Sequence, residues 1–187
     1  PINFKNKWVS YQNKQANNWT AANNESYKQL NQAYRLYTLA LAQQPNKSAM
    51  NRMRNIASLT SVARWRLAAA YALIGQKEVA AELIENQSME APEKYDYYYY
   101  SYGSATRNQA MILETLVLLD RLDSAAPLMK EIAEQLSSQR WMSTQTTAYS
   151  LIAISKLAGN ASSSKVSYTY QGAGISKEKI SSDKPVN

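Results

Sequence analysis

The chain has no cysteine and no histidine among its 187 residues. That excludes disulfides, thiolate nucleophiles and Ser-His-Asp triads, and with them nearly all zinc or iron sites. It does not fix the compartment, since reducing and oxidising surroundings both permit a cysteine-free protein. Glycine and proline are scarce at five each, which favours helices joined by short turns. No stretch approaches the roughly 18 apolar residues of a membrane span, so direct membrane insertion is not expected. A charged start followed by an apolar run, the mark of a signal peptide, is also missing: the chain opens Pro-Ile-Asn-Phe. Opening on proline instead of methionine points to a piece of a longer polypeptide. The length suffices for one domain with a proper core, and an apolar content of 45% does not mark the chain as disordered.

Acidic residues are nearly absent from the first part. Residues 1–77 hold eleven basic side chains and one acid, Glu25, whereas residues 78–187 hold ten basic against thirteen acidic. One reading is a basic face, including Arg52 and Arg54, for an acidic partner or a lipid surface. The preferred reading makes Arg52, Arg54, Arg64 and Arg66 solvated helix residues that dock against neighbouring domains. Nucleic acid is not expected as a partner, because no Lys/Arg cluster or recognised binding motif accompanies the charge.

What is present reads as helices. Phe4, Trp8 and Tyr11 are spaced for one helical face within residues 4–19. Asn23 or Asn24 can cap a helix running to about Gln43, with Leu30, Tyr34, Tyr37 and Leu41 on one stripe and Pro45 ending it. A short helix from Lys47 to about Ile56 places Met50, Met53 and Ile56 inward. Helices over 61–75 and 77–85 form one hairpin, with Gly75 as the stop, and helices over 104–119 and 124–136 form another. Between them lies a connection over 86–103 carrying Tyr95, Tyr97, Tyr98, Tyr99, Tyr100 and Tyr102. Tyrosine gives amphipathic contact area, so Tyr97–Tyr100 can form a recognition surface; the preferred alternative packs several of them under the helices.

The last helix is marked at both ends. Ser143 or Thr144 can accept from a free first-turn amide, and Gly159 can take the left-handed conformation that stops a helix. Ala148, Leu151, Ile152, Ser155 and Leu157 predict burial over much of its surface. After Gly159, Ser162–Ser164 read as a linker, and Val166, Tyr168 and Tyr170 alternate as a strand does. A lone strand is not stable alone, so residues 161–187 are expected to be β-like or disordered and loosely held.

Leu67, Tyr71, Gly75, Ala80 and Pro92 fall in the register of a tetratricopeptide repeat. Trp65 misses that register by one position, and the next hairpin follows about 45 residues later instead of 34. The irregular period fits helix pairs in a curved or closed α/α array better.

A family resemblance rests on Trp141-Met142-Ser143-Thr144-Gln145 and the small, apolar helix ending Ser155-Lys156-Leu157-Ala158-Gly159. These residues resemble the closing helix of the thioester domain in the alpha-2-macroglobulin family. Tyr102-Gly103-Ser104-Ala105-Thr106-Arg107 is similar to the start of its preceding hairpin, in the bacterial branch. Ala63–Lys77 and Gln32–Tyr37 resemble earlier segments in the family's order. The resemblance covers roughly residues 1–160 and implies an all-α fold, antiparallel helical hairpins forming part of an α/α toroid. Residues 161–187 would lead to a β domain. The parent it implies is an exported bacterial protease trap, periplasmic or in the cell envelope, with lipid anchoring open. The partners would be other domains of the parent chain, and proteases through the full-length protein. Trp141, Ser143, Thr144, Gln145, Tyr102, Gly103 and Arg107 would be structural, with Gln145 hydrogen-bonded inside the helix layer. The family's thioester needs a cysteine, which this segment lacks.

No enzyme is expected. Toroids also house glycosidases and terpene cyclases, but those need paired carboxylates or carboxylate-rich metal motifs. Asp120 and Asp123 flank a turn, where capping explains them, and Glu78, Glu82 and Glu85 share a solvated helix face. No catalytic group, metal or cofactor is expected. The competing class is a free-standing helical interaction module of tetratricopeptide type, and self-association through exposed apolar faces is a further expectation.

Overall fold

The computed structural model describes residues 2–21, 26–90, 103–161, 166–172 and 175–182. Eight helices appear among them: α1 (Ile2–Asn18), α2 (Ser26–Leu41), α3 (Lys47–Arg54), α4 (Ser61–Leu73), α5 (Lys77–Ile84), α6 (Ala105–Leu118), α7 (Leu122–Leu136) and α8 (Thr144–Ala161). Short polar side chains start several of them. The free first-turn amides of Ala49, Ala63 and Arg107 donate to Asn46 Oδ1, Thr60 Oγ1 and Ser104 Oγ at 3.0, 3.4 and 3.0 Å. Each bond satisfies a donor that the helix itself leaves open.

Three helices end by one device. Gln43, Gly75 and Asp120 take φ of 61°, 80° and 58°. Past each, the next amide reaches back: Gln44 to Leu39 O, Gln76 to Tyr71 O and Arg121 to Leu116 O, at 2.9, 3.0 and 2.9 Å. This is the paired closure that a left-handed residue makes possible, and it turns the chain sharply into the following segment. Gly75 therefore acts as the expected stop. Gly159 does not: α8 passes through it to Ala161, and Gly75 is the positive-φ glycine of the described residues.

The even-numbered helices form a row in chain order, α2 against α4, α4 against α6 and α6 against α8, while α1, α5 and α7 lie along α2, α4 and α6. The row curls until α8 meets α2, with Tyr34 and Tyr149 ring centroids 5.9 Å apart. α4 and α6 stand in the middle and are buried on nearly every side. The run Ala68-Ala69-Ala70, fully buried, leaves room for its neighbours to approach. The main core gathers Leu36, Leu39, Met50, Met53, Leu67, Ile112, Leu113 and Leu116.

Several predicted faces are displaced. Phe4 and Tyr11 are 76% and 59% exposed and Leu41 is 52% exposed, because α1 and α2 turn Trp8, Ala16, Leu36 and Leu39 inward instead. On α8, Leu151 and Ile152 are exposed, as are Ala148 and Ser155, while Thr146, Ser150 and Ala153 are buried. The small side chains of Thr146, Ser150 and Ala153 let α8 lie close to α6, with Tyr149, Ile154 and Leu157 partly buried against the core. Trp141 is 88% exposed, since it precedes the first turn of α8 and lies outside the helix-to-helix seam. Leu30, Tyr37, Met50 and Met53 are inward as expected.

The tail also differs from a lone strand. β1 (Val166–Gly172) pairs antiparallel with β2 (Ile175–Ser182), with Val166 opposite Ser182 and Tyr170 opposite Glu178. The second strand has little apolar alternation, which is why the hairpin escapes a pattern search. Asn23, Asn24 and the run Tyr95–Tyr102 lie outside the described residues.

The left-handed residues give a direct test. Gln43→Gly relieves a side chain held in that region and is expected to stabilise the fold by about 0.5–1 kcal/mol. Gly75→Ala meets no atom within 4 Å at its new Cβ, so a loss of about 1–2 kcal/mol in chemical denaturation would be conformational alone.

Candidate functional site

Each helix of the curled row contributes one group to a buried cluster. Glu114 on α6 is 2% exposed and Arg66 on α4 is 0% exposed. Arg66 Nη1 lies 2.7 Å from Glu114 Oε2. Tyr37 from α2 donates its hydroxyl to Glu114 Oε1, and the Lys156 ammonium from α8 donates to the same oxygen. Lys156 Nζ is also 3.3 Å from the Tyr37 hydroxyl. The guanidinium carbon of Arg66 sits 4.2 Å from the centroid of the Tyr37 ring, an arrangement that stabilises a desolvated cation. Both carboxylate oxygens are thus occupied, which is what a buried charge requires if it is not to be neutralised.

The electrostatics follow from this enclosure. Burial works to raise the Glu114 pKa, but the Arg66 charge and the hydrogen bonds from Lys156 and Tyr37 outweigh it and hold the carboxyl below its usual range. Burial, then the Glu114 charge, pushes the Tyr37 phenol well up. Tyr149 is raised for the first of these reasons, with its hydrogen bond to Tyr34 adding to it. Glu114 accepts from Arg66 on Oε2 and from Tyr37 and Lys156 on Oε1, so one carboxylate ties together side chains of four helices. The cluster does the work of a structural lock.

A second polar junction joins the first turns of α6 and α8. Ser104, which caps α6, shares a hydrogen bond of 2.7 Å with Thr146 Oγ1. The Thr146 amide donates to Ser143 Oγ at 3.2 Å, so Ser143 caps α8. Arg107, 2% exposed, donates from Nη1 to Gln145 Oε1 at 2.9 Å and from Nε and Nη2 to Asn108 Oδ1 at 3.2 and 3.0 Å. A Cβ on Gly103 would stand 2.3 Å from Arg107 Nη2. A side chain at 103 would displace the guanidinium from this position against the backbone and from its bonds to Gln145 and Asn108.

Around the junction the surface is open. A cleft of about 1220 Å³ is walled by Thr106, Gln109, Leu128, Glu131 and Gln135, with Ser88 at one edge. Glu131 accepts from Gln109 Nε2 at 2.6 Å. Among the described residues no three histidines, cysteines or carboxylates gather as a metal site, and no helix is long and apolar enough to cross a membrane.

No protein-family model and no curated protein matches the sequence. Solved structures do. Against E. coli alpha-2-macroglobulin in its native conformation the TM-score is 0.62 at 19% identity, over 96% of this chain and 11% of the other. Against Salmonella alpha-2-macroglobulin reacted with methylamine it is 0.66 at 20% identity, over 96% of this chain and 12% of that one. The fold is that of a helical segment of bacterial alpha-2-macroglobulins. The chain spans about a tenth of the length of either.

Of the residues that carry the alpha-2-macroglobulin resemblance, Gly103, Arg107, Ser143 and Gln145 come together at the α6–α8 junction. Thr144 opens α8 and stays exposed, Trp141 stands apart on the surface, and Tyr102 lies outside the described residues, as do Tyr97, Tyr98, Tyr99 and Tyr100. The arginines of the basic half are engaged within the fold. Arg52 donates to Ser48 Oγ at 3.1 Å and to Ala16 O and Asn17 O at 3.4 Å, closing the end of α1. Arg54 pairs with Glu82 at 2.6 Å, and Arg64 donates to Ala57 O at 2.9 Å. Arg66 is not a solvated helix residue but the buried partner of Glu114. Sequence reasoning missed Glu114 altogether. The signal available was a single acid inside Ile112-Leu113-Glu114-Thr115-Leu116-Val117, an apolar run in which a charge needs a partner.

Two outcomes follow. Glu114→Ala leaves Arg66 buried without a counter-charge and should cost about 3–5 kcal/mol, whereas the paired change Arg66→Met with Glu114→Leu should recover most of that loss in urea titrations. The pH profile is the second. The depressed Glu114 pKa supplies stability that is present above the unfolded value of about 4.3 and lost as pH falls through the lower folded value. The raised Tyr37 and Tyr149 values supply stability present below about pH 10 and lost as pH climbs beyond it. Melting temperature should therefore fall at both ends, and Glu114→Gln should flatten the acid limb.

Proposed function

We propose that this chain is a non-catalytic structural segment of a bacterial alpha-2-macroglobulin-like protein, a protease trap of the cell envelope. The observation that carries the reading is the fold likeness over 96% of this chain to about a tenth of two such proteins. In this reading residues 1–160 are the later part of an α/α toroid, and 161–187 lead onward to a β domain. The parent is exported to the periplasm or held in the envelope. The chemistry available agrees with a passive role: the buried carboxylate is engaged by three partners, and the sequence contains no cysteine from which a thioester could form. Exposed Leu151 and Ile152 on α8 supply surface for other domains of the parent, and an excised segment would self-associate through them. Proteases are met by the full-length protein and not by this segment.

The rival is a free-standing interaction module. Gel filtration of the full-length polypeptide after incubation with an endopeptidase separates the two. Co-elution of the protease with the long protein, together with no inhibition by residues 1–187 alone at about a hundredfold excess over the protease, is the expected result. Failure to retain any protease, with a specific partner held by the isolated segment, would establish the module instead.

A further inference from the structure

We infer that α8 is a detachable member of the helix row, able to leave as a unit while α2, α4 and α6 stay closed around an intact Arg66–Glu114 pair.

Arg66 and Glu114 neutralise one another, both fully enclosed, on α4 and α6. Lys156 is the third charge and the only one of the three that α8 carries. Its side chain is 31% exposed, so it can exchange Glu114 for water without crossing an apolar layer. Withdrawing α8 therefore leaves the Arg66–Glu114 pair neutral, and Arg107 exchanges Gln145 for water at the opened end of the seam while keeping Asn108. Removing α4 or α6 would break that pair, and the cost of an uncompensated buried ion holds those two together.

The seam itself is of a different kind from the rest of the core. The fully buried residues that α8 brings are Thr146, Ser150 and Ala153, and its larger apolar side chains, Tyr149, Ile154 and Leu157, are only partly buried against the core. Where α2, α3 and α4 meet, Leu36, Leu39, Met50, Leu67 and Tyr71 are fully buried, so opening there returns whole large side chains to water. Polar satisfaction points the same way. Ser150 Oγ, on α8, and Arg66 Nε and Nη2, of the guanidinium 5.9 Å from the ring of the α8 residue Tyr149, are buried without hydrogen-bond partners in the closed arrangement. Opening the seam hydrates all three, which offsets part of what is lost. Arg66 keeps the Tyr37 ring at 4.2 Å and gives up only the more distant Tyr149 ring at 5.9 Å.

Native-state hydrogen exchange on the full chain tests it. The amides of residues 150–158 should exchange at one common rate, at least about tenfold faster than the protected amides of α4 and α6. Lys156→Met should raise that rate severalfold and leave α4 and α6 unchanged, while Glu114→Gln should loosen all four helices. A graded rise in rate toward Ala161 would mean simple end-fraying and would overturn the inference. So would α8 amides that exchange together with α4 and α6, or a rate in α8 that Lys156→Met does not change.

Discussion

A carboxylate taken out of water has to be answered by positive charge and hydrogen bonds within reach of its two oxygens, and Glu114 is answered by side chains from three other helices. Tyr37 and Lys156 meet at this oxygen pair although they stand 119 residues apart in sequence. Because a hydrogen bond tolerates only a few tenths of an ångström, each partner fixes the rotation and the height of its own helix. The row α2, α4, α6 and α8 is therefore held in one register by a single anion. Apolar packing alone, which is tolerant of sliding, would leave that register less defined.

The α6–α8 seam carries a second fixed point at its other end, where Ser104, Thr146, Ser143, Arg107 and Gln145 interlock. Two polar junctions with small residues between them set the spacing of these helices, and Gly103 supplies the close backbone approach that Arg107 needs. An architecture specified by a few such contacts and by helix closures can persist through extensive sequence change. The likeness to bacterial alpha-2-macroglobulins, at about 20% identity, is one of fold. It resides in the arrangement of helices.

Helix ends were far more legible than helix faces. Ser143, read from the sequence as a cap, is a local device, as are Asn46, Thr60 and Ser104, which the sequence did not single out: a side chain and a backbone amide a few residues on, needing no other part of the chain. Gly75 is likewise local. Gly159 misled because a glycine permits a left-handed turn without requiring one. The faces failed for a different reason. A helix flanked on several sides has no single apolar stripe, and α4 and α6 bury Arg66, Arg107, Asn108 and Glu114 alongside leucine and alanine. On α8 the stripe of Leu151 and Ile152 marks a surface that the described residues leave uncovered, while the side that packs is Thr146, Ser150 and Ala153.

By itself the sequence determined an all-helical body with a short β-like tail, the boundaries of most helices, and the absence of cysteine and histidine chemistry. Those properties depend on composition and on interactions spanning a few residues, which a linear string displays. Only the tertiary structure decided that Arg66 is an enclosed counter-ion, that Glu114 is the anchor of the row, and that the tail closes on itself as a hairpin. Each of these rests on a pairing between groups remote in the chain or, in the hairpin, on a partner strand without a pattern. The free energy of such a pairing belongs to the burial that brings the groups together, and burial is a property of the folded whole.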